Sequence, residues 1–196
     1  MASITNAKIS YRDWHIPLFR DHITLGEAFA SMQQLRAQQQ EIPLMVQLVE
    51  NPKYTMPGFT LFHGAVDLDQ HDYIHIALGR GMLEKDEAFT IGFTMGTTKK
   101  VSTTEEKLYT FISQYFYPKV YQFGSDEVEV FKNAVRLGYI SSCKPLDSFN
   151  FLPYLGSSLA ELRHILHLEA DLLLSYYKIE KKRYSKAADS ARLLDL

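Results

Sequence analysis

Residues 71–87 read HDYIHIALGRGMLEKDE. Ile74, Ala77 and Leu78 follow Leu61, Ala65 and Leu68 at helical intervals, so residues 61–78 carry an apolar helical face. Asp67 or Asp69 is placed to cap the half that holds the histidines. Gly79 and Gly81 then bracket Arg80 and stop the helix, because glycine accepts the left-handed conformation that closes a helical C-terminus. A second helix is expected over 83–95. Glu84, Asp86 and Glu87 fall in its first turn, where the helix dipole favours carboxylates, and Ala88, Ile91 and Met95 form its face.

The flanking chain repeats this helix-and-stop grammar. Thr24 with Glu27, Thr103 with Glu106, and Ser158 with Glu161 have capping-box spacing, in which hydroxyl and carboxylate satisfy orphan backbone donors reciprocally. Helices are therefore expected from Leu25, from Thr103 to near Pro118, and from Leu159 to Arg183. Ser125 is placed to cap another, with Val128, Phe131 and Val135 on its face and Gly138 as its stop. A short apolar helix is expected over 43–50, followed by a loop over 51–60 that holds Pro52, Pro57 and Gly58. Residues 1–23 read as an arm with extended pieces, and 184–196 as a frayed helical tail. Gly92 and Gly96 are small enough to admit a close helix neighbour. Strand alternation is absent. The expected class is all-α, a single domain over 1–196 of about seven helices with an apolar groove.

Composition narrows the function classes. The 196 residues are 46% apolar and 22% charged with a net charge of -2, ordinary for a globular domain and without the basic face that nucleic acid requires. Cys143 is the only cysteine, so no internal disulfide forms and a reducing, cytoplasmic setting is expected. No apolar run reaches the roughly 18 residues of a membrane span. The 13% aromatic content leaves room for peripheral membrane contact.

The chemistry concentrates in the opening stretch. On a helix, His71 and His75 sit at i and i+4 with both rings on one face, the spacing by which two imidazoles reach one metal. Asp72 lies three residues before His75, within reach of the metal or of a ring nitrogen. Glu87 follows the glycine break, where the chain can turn back. Two nitrogens and one or two carboxylate oxygens suit zinc, with iron or cobalt as further choices. The bland alternative is a solvated face on which Asp72 and Glu87 pair with Arg80 and Lys85.

Other candidates are weaker. Glu161 and His164 form a single E-x-x-H, and a di-iron bundle needs two. His164 and His167 are expected to be partly packed, and His15 and His22 to be surface or packing residues. His63 with His71 and Asp72 permits an HD-type metal-dependent phosphohydrolase, although the region lacks the basic residues that grip phosphate. The aromatics Tyr109, Phe111, Tyr115, Phe116, Tyr117, Tyr121 and Phe123 are core by spacing or, in the sharper reading, line a lipid-tail groove. Lys99, Lys100 and the Lys181-Lys182-Arg183 run are solvated ends or contacts for anionic headgroups. Cys143 has no nearby histidine to make it a nucleophile.

His71, Asp72, His75 and Glu87, spaced H-D-x-x-H, eleven residues, E, with Gly79 four residues after the second histidine, resemble the signature of the coenzyme Q biosynthesis protein Coq-four family. The small-residue-rich helix EAFTIGFTMG from Glu87 and the segment FNFLPYLGSSLAELRHIL over 149–166 are similar to that family in the same order. The resemblance implies a helical protein with a divalent metal, usually zinc, on His71, Asp72, His75 and Glu87. It implies a groove for the prenyl tail of a quinone precursor and association with other quinone-biosynthesis enzymes at the membrane, with a homodimer as one expected assembly. The implied reaction removes the C1 carboxylate of a prenylated hydroxybenzoate, coupled to hydroxylation there, so the chain would be a lyase. A non-catalytic lipid-binding scaffold is the alternative.

Overall fold

The computed structural model describes residues 11–36 and 62–194. Within them the chain forms α1 (Leu25–Arg36), α2 (Leu68–Leu78), α3 (Glu84–Thr97), α4 (Thr103–Tyr115), α5 (Ser125–Ile140), α6 (Leu159–Ile165), α7 (Ala170–Arg183) and α8 (Ala188–Ala191), with short 3-10 turns at Lys119–Tyr121 and Leu152–Tyr154. Among the described residues there is no strand, only one antiparallel bridge between Thr24 and Ser158. The all-α expectation holds. The helix expected over 43–50 and the loop over 51–60 lie outside the described residues.

The core forms around α2 and α3. Asp72 to Leu78 are all buried, so the C-terminal half of α2 is enclosed on every side. Ile74, Ile76, Phe89, Phe93, Phe131, Leu159 and Tyr177 share one apolar cluster with Trp14, Ile16 and Leu18 of the N-terminal arm. Packing is closest between α3 and α5. A Cβ added at Gly92, Gly96 or Gly138 would collide with the carbonyl oxygens of Phe131, Val135 or Phe93. The glycines therefore let the two backbones touch, as expected of Gly92 and Gly96.

Several expected boundaries move. The apolar face over 61–78 does not make one helix. Gly64 adopts a φ of 87°, and α2 begins only at Leu68, where the Asp67 side chain accepts from the Gln70 backbone N–H at 2.9 Å. The box expected at Thr103 with Glu106 forms one residue earlier, between Ser102 and Glu105. Ser125 is the first helical residue rather than the cap. Gly124 takes that place, its N–H bonded to the Glu127 carboxylate at 3.0 Å. Gly138 does not stop α5, because its bareness serves the contact with α3 and the helix runs on to Ile140. The long last helix breaks at His167, whose φ of 56° lets Leu168 N–H close back on the Arg163 carbonyl.

The tail is not frayed. Asp189, Ser190 and Leu193 are buried, and α8 packs against the start of α3. His164 and His167 are exposed rather than packed. Lys99 is exposed, as expected of a solvated end, and its ammonium also donates to the carbonyls of Gly138, Tyr139 and Ser141 and so closes the C-terminus of α5.

Candidate metal centre

The end of α2 is buried, so its last carbonyls need partners inside the protein. Gly79 caps the helix at φ 69°, and Arg80 N–H closes on the His75 carbonyl at 2.9 Å. Arg163 donates to the carbonyls of Ala77 at 2.9 Å and Ile76 at 3.3 Å, and the Tyr177 hydroxyl donates to Leu78 at 2.7 Å. Every terminal acceptor is satisfied, and a guanidinium sits at the negative end of the helix dipole. Leu18 packs against Gly79, where a Cβ would meet its side chain at 2.9 Å, and the His15 ring donates to the Gly79 carbonyl at 3.0 Å. His15 is thus a packing residue, and burial pulls its pKa down.

Arg80 then turns inward and is wholly buried. It forms a two-pronged pair with Glu180 at 2.9 and 2.7 Å and lies between the rings of Phe89 at 3.9 Å and Tyr177 at 4.2 Å. Asp86, one residue before Glu87, accepts from Leu83 N–H at 3.1 Å, stands 3.8 Å from Arg80 and pairs with Arg192 at 2.5 Å. Lys85 pairs with Glu127 at 2.6 Å, and its backbone N–H donates to Asp189. The first turn of α3 is therefore tied down at Leu83, Lys85 and Asp86, immediately before Glu87. Arg80 and Lys85 are engaged by Glu180 and Glu127, and Glu87 turns to the histidines instead of to them.

Glu87 reaches α2 from across the turn. Its Oε2 lies 2.9 Å from His71 Nε2 and 3.3 Å from His75 Nε2, and the two ring nitrogens are 2.8 Å apart. His71, His75 and Glu87 together can hold a metal ion, each offering one ligand atom within 4.8 Å of the others. Protons alone serve this triangle poorly. A ring nitrogen has one in-plane site, so His71 Nε2 cannot bond both neighbours at once. A central cation satisfies all three. Tetrahedral ligands at about 2.05 Å from zinc would be about 3.3 Å apart, which the His75–Glu87 edge matches at 3.3 Å, while the edges at 2.9 and 2.8 Å would open slightly around an ion. Three protein ligands leave one position for water or substrate.

Electrostatics agree with this arrangement. Burial pushes the Glu87 carboxyl up, but the neighbouring His75 and His71 outweigh it and hold the group below its usual range. Its side chain retains 37% exposure, so solvent screens part of that attraction. With Nε2 turned to the cluster, the other ring nitrogen of His75, Nδ1, lies 3.3 Å from Thr90 Oγ1, a contact that orients the ring. Burial first, and then the Glu87 charge, push the Tyr121 hydroxyl up.

Of the four residues expected as ligands, three converge. Asp72 is buried one position further round α2 and stands outside the group. Thr90 escaped notice in the sequence, although it sits one helical turn beyond Glu87 as a polar position among apolar ones.

His71 also lines a small cleft of about 20 Å³, with Phe62, Val66, Ile91, Met95 and Tyr109 as apolar walls and His63 and Thr94 as polar ones. The expected aromatic series divides. Tyr109, Tyr117 and Phe123 are core, whereas Phe111, Tyr115 and Phe116 are 51%, 67% and 55% exposed. Cys143 is buried, and burial pushes its thiol up to about 12, which removes it as a nucleophile. Among the described residues no helix is long and apolar enough to cross a membrane.

Compared with known proteins, the chain matches no family model, no curated protein and no solved structure.

Proposed function

We propose that the chain holds one divalent metal, zinc or another first-row ion, on His71, His75 and Glu87, and acts on the aromatic head of a prenylated hydroxybenzoate in quinone biosynthesis, removing the C1 carboxylate with coupled hydroxylation. The observation that carries this reading is the triangle of three ligand atoms beside an apolar cleft. The H-D-x-x-H and glutamate spacing adds support. A metal bound there would supply Lewis-acid polarisation of a substrate oxygen. Thr90 fixes the His75 ring, the buried pairs around Arg80 and Asp86 fix Glu87, and Phe62, Val66, Ile91 and Met95 exclude water from one side of the cleft.

The test has two parts. Purified protein is expected to carry one divalent metal per chain, lost in His71→Ala and His75→Ala. The same variants are expected to lose quinone output in a host deleted for the activity. Wild-type protein that takes up neither zinc, cobalt nor iron on titration overturns the reading.

A second reading, a lipid-binding scaffold without turnover, draws support from Leu108, Phe111, Tyr115 and Phe116, an exposed apolar patch on and just after α4. Ligand variants that still restore quinone output would favour it. The phosphohydrolase reading has less support, because His63 lies outside the ligand group and its Nδ1 is engaged by Glu105.

A further inference from the structure

The three ligands of the site are not held alike. His71 and His75 stand on α2, and the His75 side chain is 1% exposed. Glu87 stands in the first turn of α3 with its side chain 37% exposed, so the core does not enclose it. Its place depends on the turn beneath it, and that turn has no side-chain cap of its own. The cap position is Leu83, which carries no oxygen to accept the free N–H groups that open a helix. Glu87 N–H itself bonds the Leu83 carbonyl at 2.9 Å.

The C-terminal segment supplies what Leu83 lacks. Asp189 Oδ2 accepts from Lys85 N–H at 3.0 Å, across 104 residues of chain. Asp189 is buried, and its Oδ1 accepts from Ser190 N–H at 2.8 Å. Arg192 Nη2 pairs with Asp86 at 2.5 Å, and its Nη1 donates to the Arg12 carbonyl at 2.5 Å. The guanidinium fills the space beside Gly81, where an added Cβ would collide with it. The Ser190 hydroxyl donates at 3.0 Å to Glu180, the carboxylate that holds Arg80. Leu193 is the apolar anchor of the segment and is buried. One short segment thus grips both ends of the turn between the histidines and Glu87, at Arg80 and Gly81 and again at Lys85 and Asp86.

Loss of these bonds falls on Glu87 first. Without Arg192, the buried Asp86 carboxylate keeps only Leu83 N–H and the Arg80 contact at 3.8 Å, with its Oδ1 lacking a hydrogen bond. Without Asp189, the Lys85 N–H has no acceptor. Buried groups short of partners are unfavourable, so the turn opens toward water and carries Glu87 with it.

We propose that residues 188–194 form a latch on the metal centre. Asp189 and Arg192 are positioning residues for Glu87, and docking of the latch sets the affinity of the site for its metal. The link from α7 has Ser185 and Lys186 exposed, so the contacts of the latch itself hold it in place. The inference rests on the metal reading above. It runs both ways by linkage: if docking raises metal affinity, the metal strengthens docking by the same factor.

A tail that only adds stability would leave the surroundings of the metal unchanged in folded protein. Cobalt(II) is therefore the probe, because its visible spectrum reports the ligands around it. Affinity and spectrum are measured on full-length wild type, Asp189→Ala, Arg192→Met and Glu87→Gln. Thr24→Ala, which loses the cap of α1, is the destabilised control. Circular dichroism confirms that each protein is folded. In wild type, hydrogen exchange of the amides of 185–194 is followed by mass spectrometry with and without zinc, so one arm needs no variant.

Both latch variants are expected to bind cobalt about tenfold more weakly, with spectra shifted toward that of Glu87→Gln, while Thr24→Ala matches wild type. Zinc is expected to slow exchange in 185–194 by a similar factor. Wild-type affinity and spectrum in both latch variants overturn the proposal, as does an equal loss of affinity in Thr24→Ala or exchange that zinc leaves unchanged. If a latch variant does not fold, the exchange arm decides. A wild-type chain that takes up neither ion overturns the metal reading instead, and the proposal falls with it.

Discussion

Glu180→Gln is the most informative single change in the frame around the site. Glu180 and Arg80 both have fully buried side chains, joined by two hydrogen bonds at 2.9 and 2.7 Å. The substitution keeps the shape and removes the charge. One amide oxygen can still accept, but the amide nitrogen then faces a guanidinium N–H, donor against donor. Arg80 is left as a buried cation with only Asp86 at 3.8 Å, which Arg192 already engages. Breaking a buried pair from one side costs about 3–5 kcal/mol. For a chain of this size that lowers Tm by about 6–20 °C, at roughly 2–4 °C per kcal/mol.

The double change Arg80→Met with Glu180→Leu removes both charges together. Its apolar side chains occupy the slot between Phe89 and Tyr177, and it is expected to recover most of the loss, because a buried ion pair contributes little beyond its own desolvation. Urea unfolding followed by far-UV circular dichroism and by the fluorescence of Trp14, the only tryptophan, measures both variants. A loss below about 1 kcal/mol in Glu180→Gln, or a double variant no more stable than the single one, would refute the reasoning.

The remaining predictions concern packing, ligands and the thiol. Gly138→Ala is expected to destabilise by about 1–3 kcal/mol in the same urea assay, because the added methyl meets the Phe93 carbonyl and pushes α3 from α5. Asp72→Asn is expected to retain one metal per chain by elemental analysis, since Asp72 stands outside the ligand group; loss of metal would restore it to the ligand set. Metal affinity is expected to fall as the pH is lowered, because protons compete with the ion for its ligand atoms, and a competition assay with a coloured chelator reads it. Cys143 is expected to resist a maleimide in native protein and react once urea unfolds the chain, because its thiol is buried and pushed up to about 12.

Much of this protein was legible in one dimension because its signals are local. Helical recurrence, the Asp67 cap and the Gly79 stop act within one or two turns, and so does the spacing that puts His71 and His75 on one face. Those features determined the all-α class and two of the three converging ligands. Glu87 was reachable because only the glycine break separates it from α2. What local pattern could not decide was anything set by a neighbour far along the chain. Gly138 looks like a stop and is a contact, because α3 lies against it. The tail looks frayed and is buried, because Asp189 and Arg192 find Lys85 and Asp86 a hundred residues away. Arg80 and Glu180 are partners across 100 residues of chain, and His63 and Glu105 across 42. Which carboxylate joined the histidines was also a tertiary decision. Asp72 is adjacent in sequence but turned about 100° around the helix from His71, whereas Glu87 is distant in sequence and brought back by the fold.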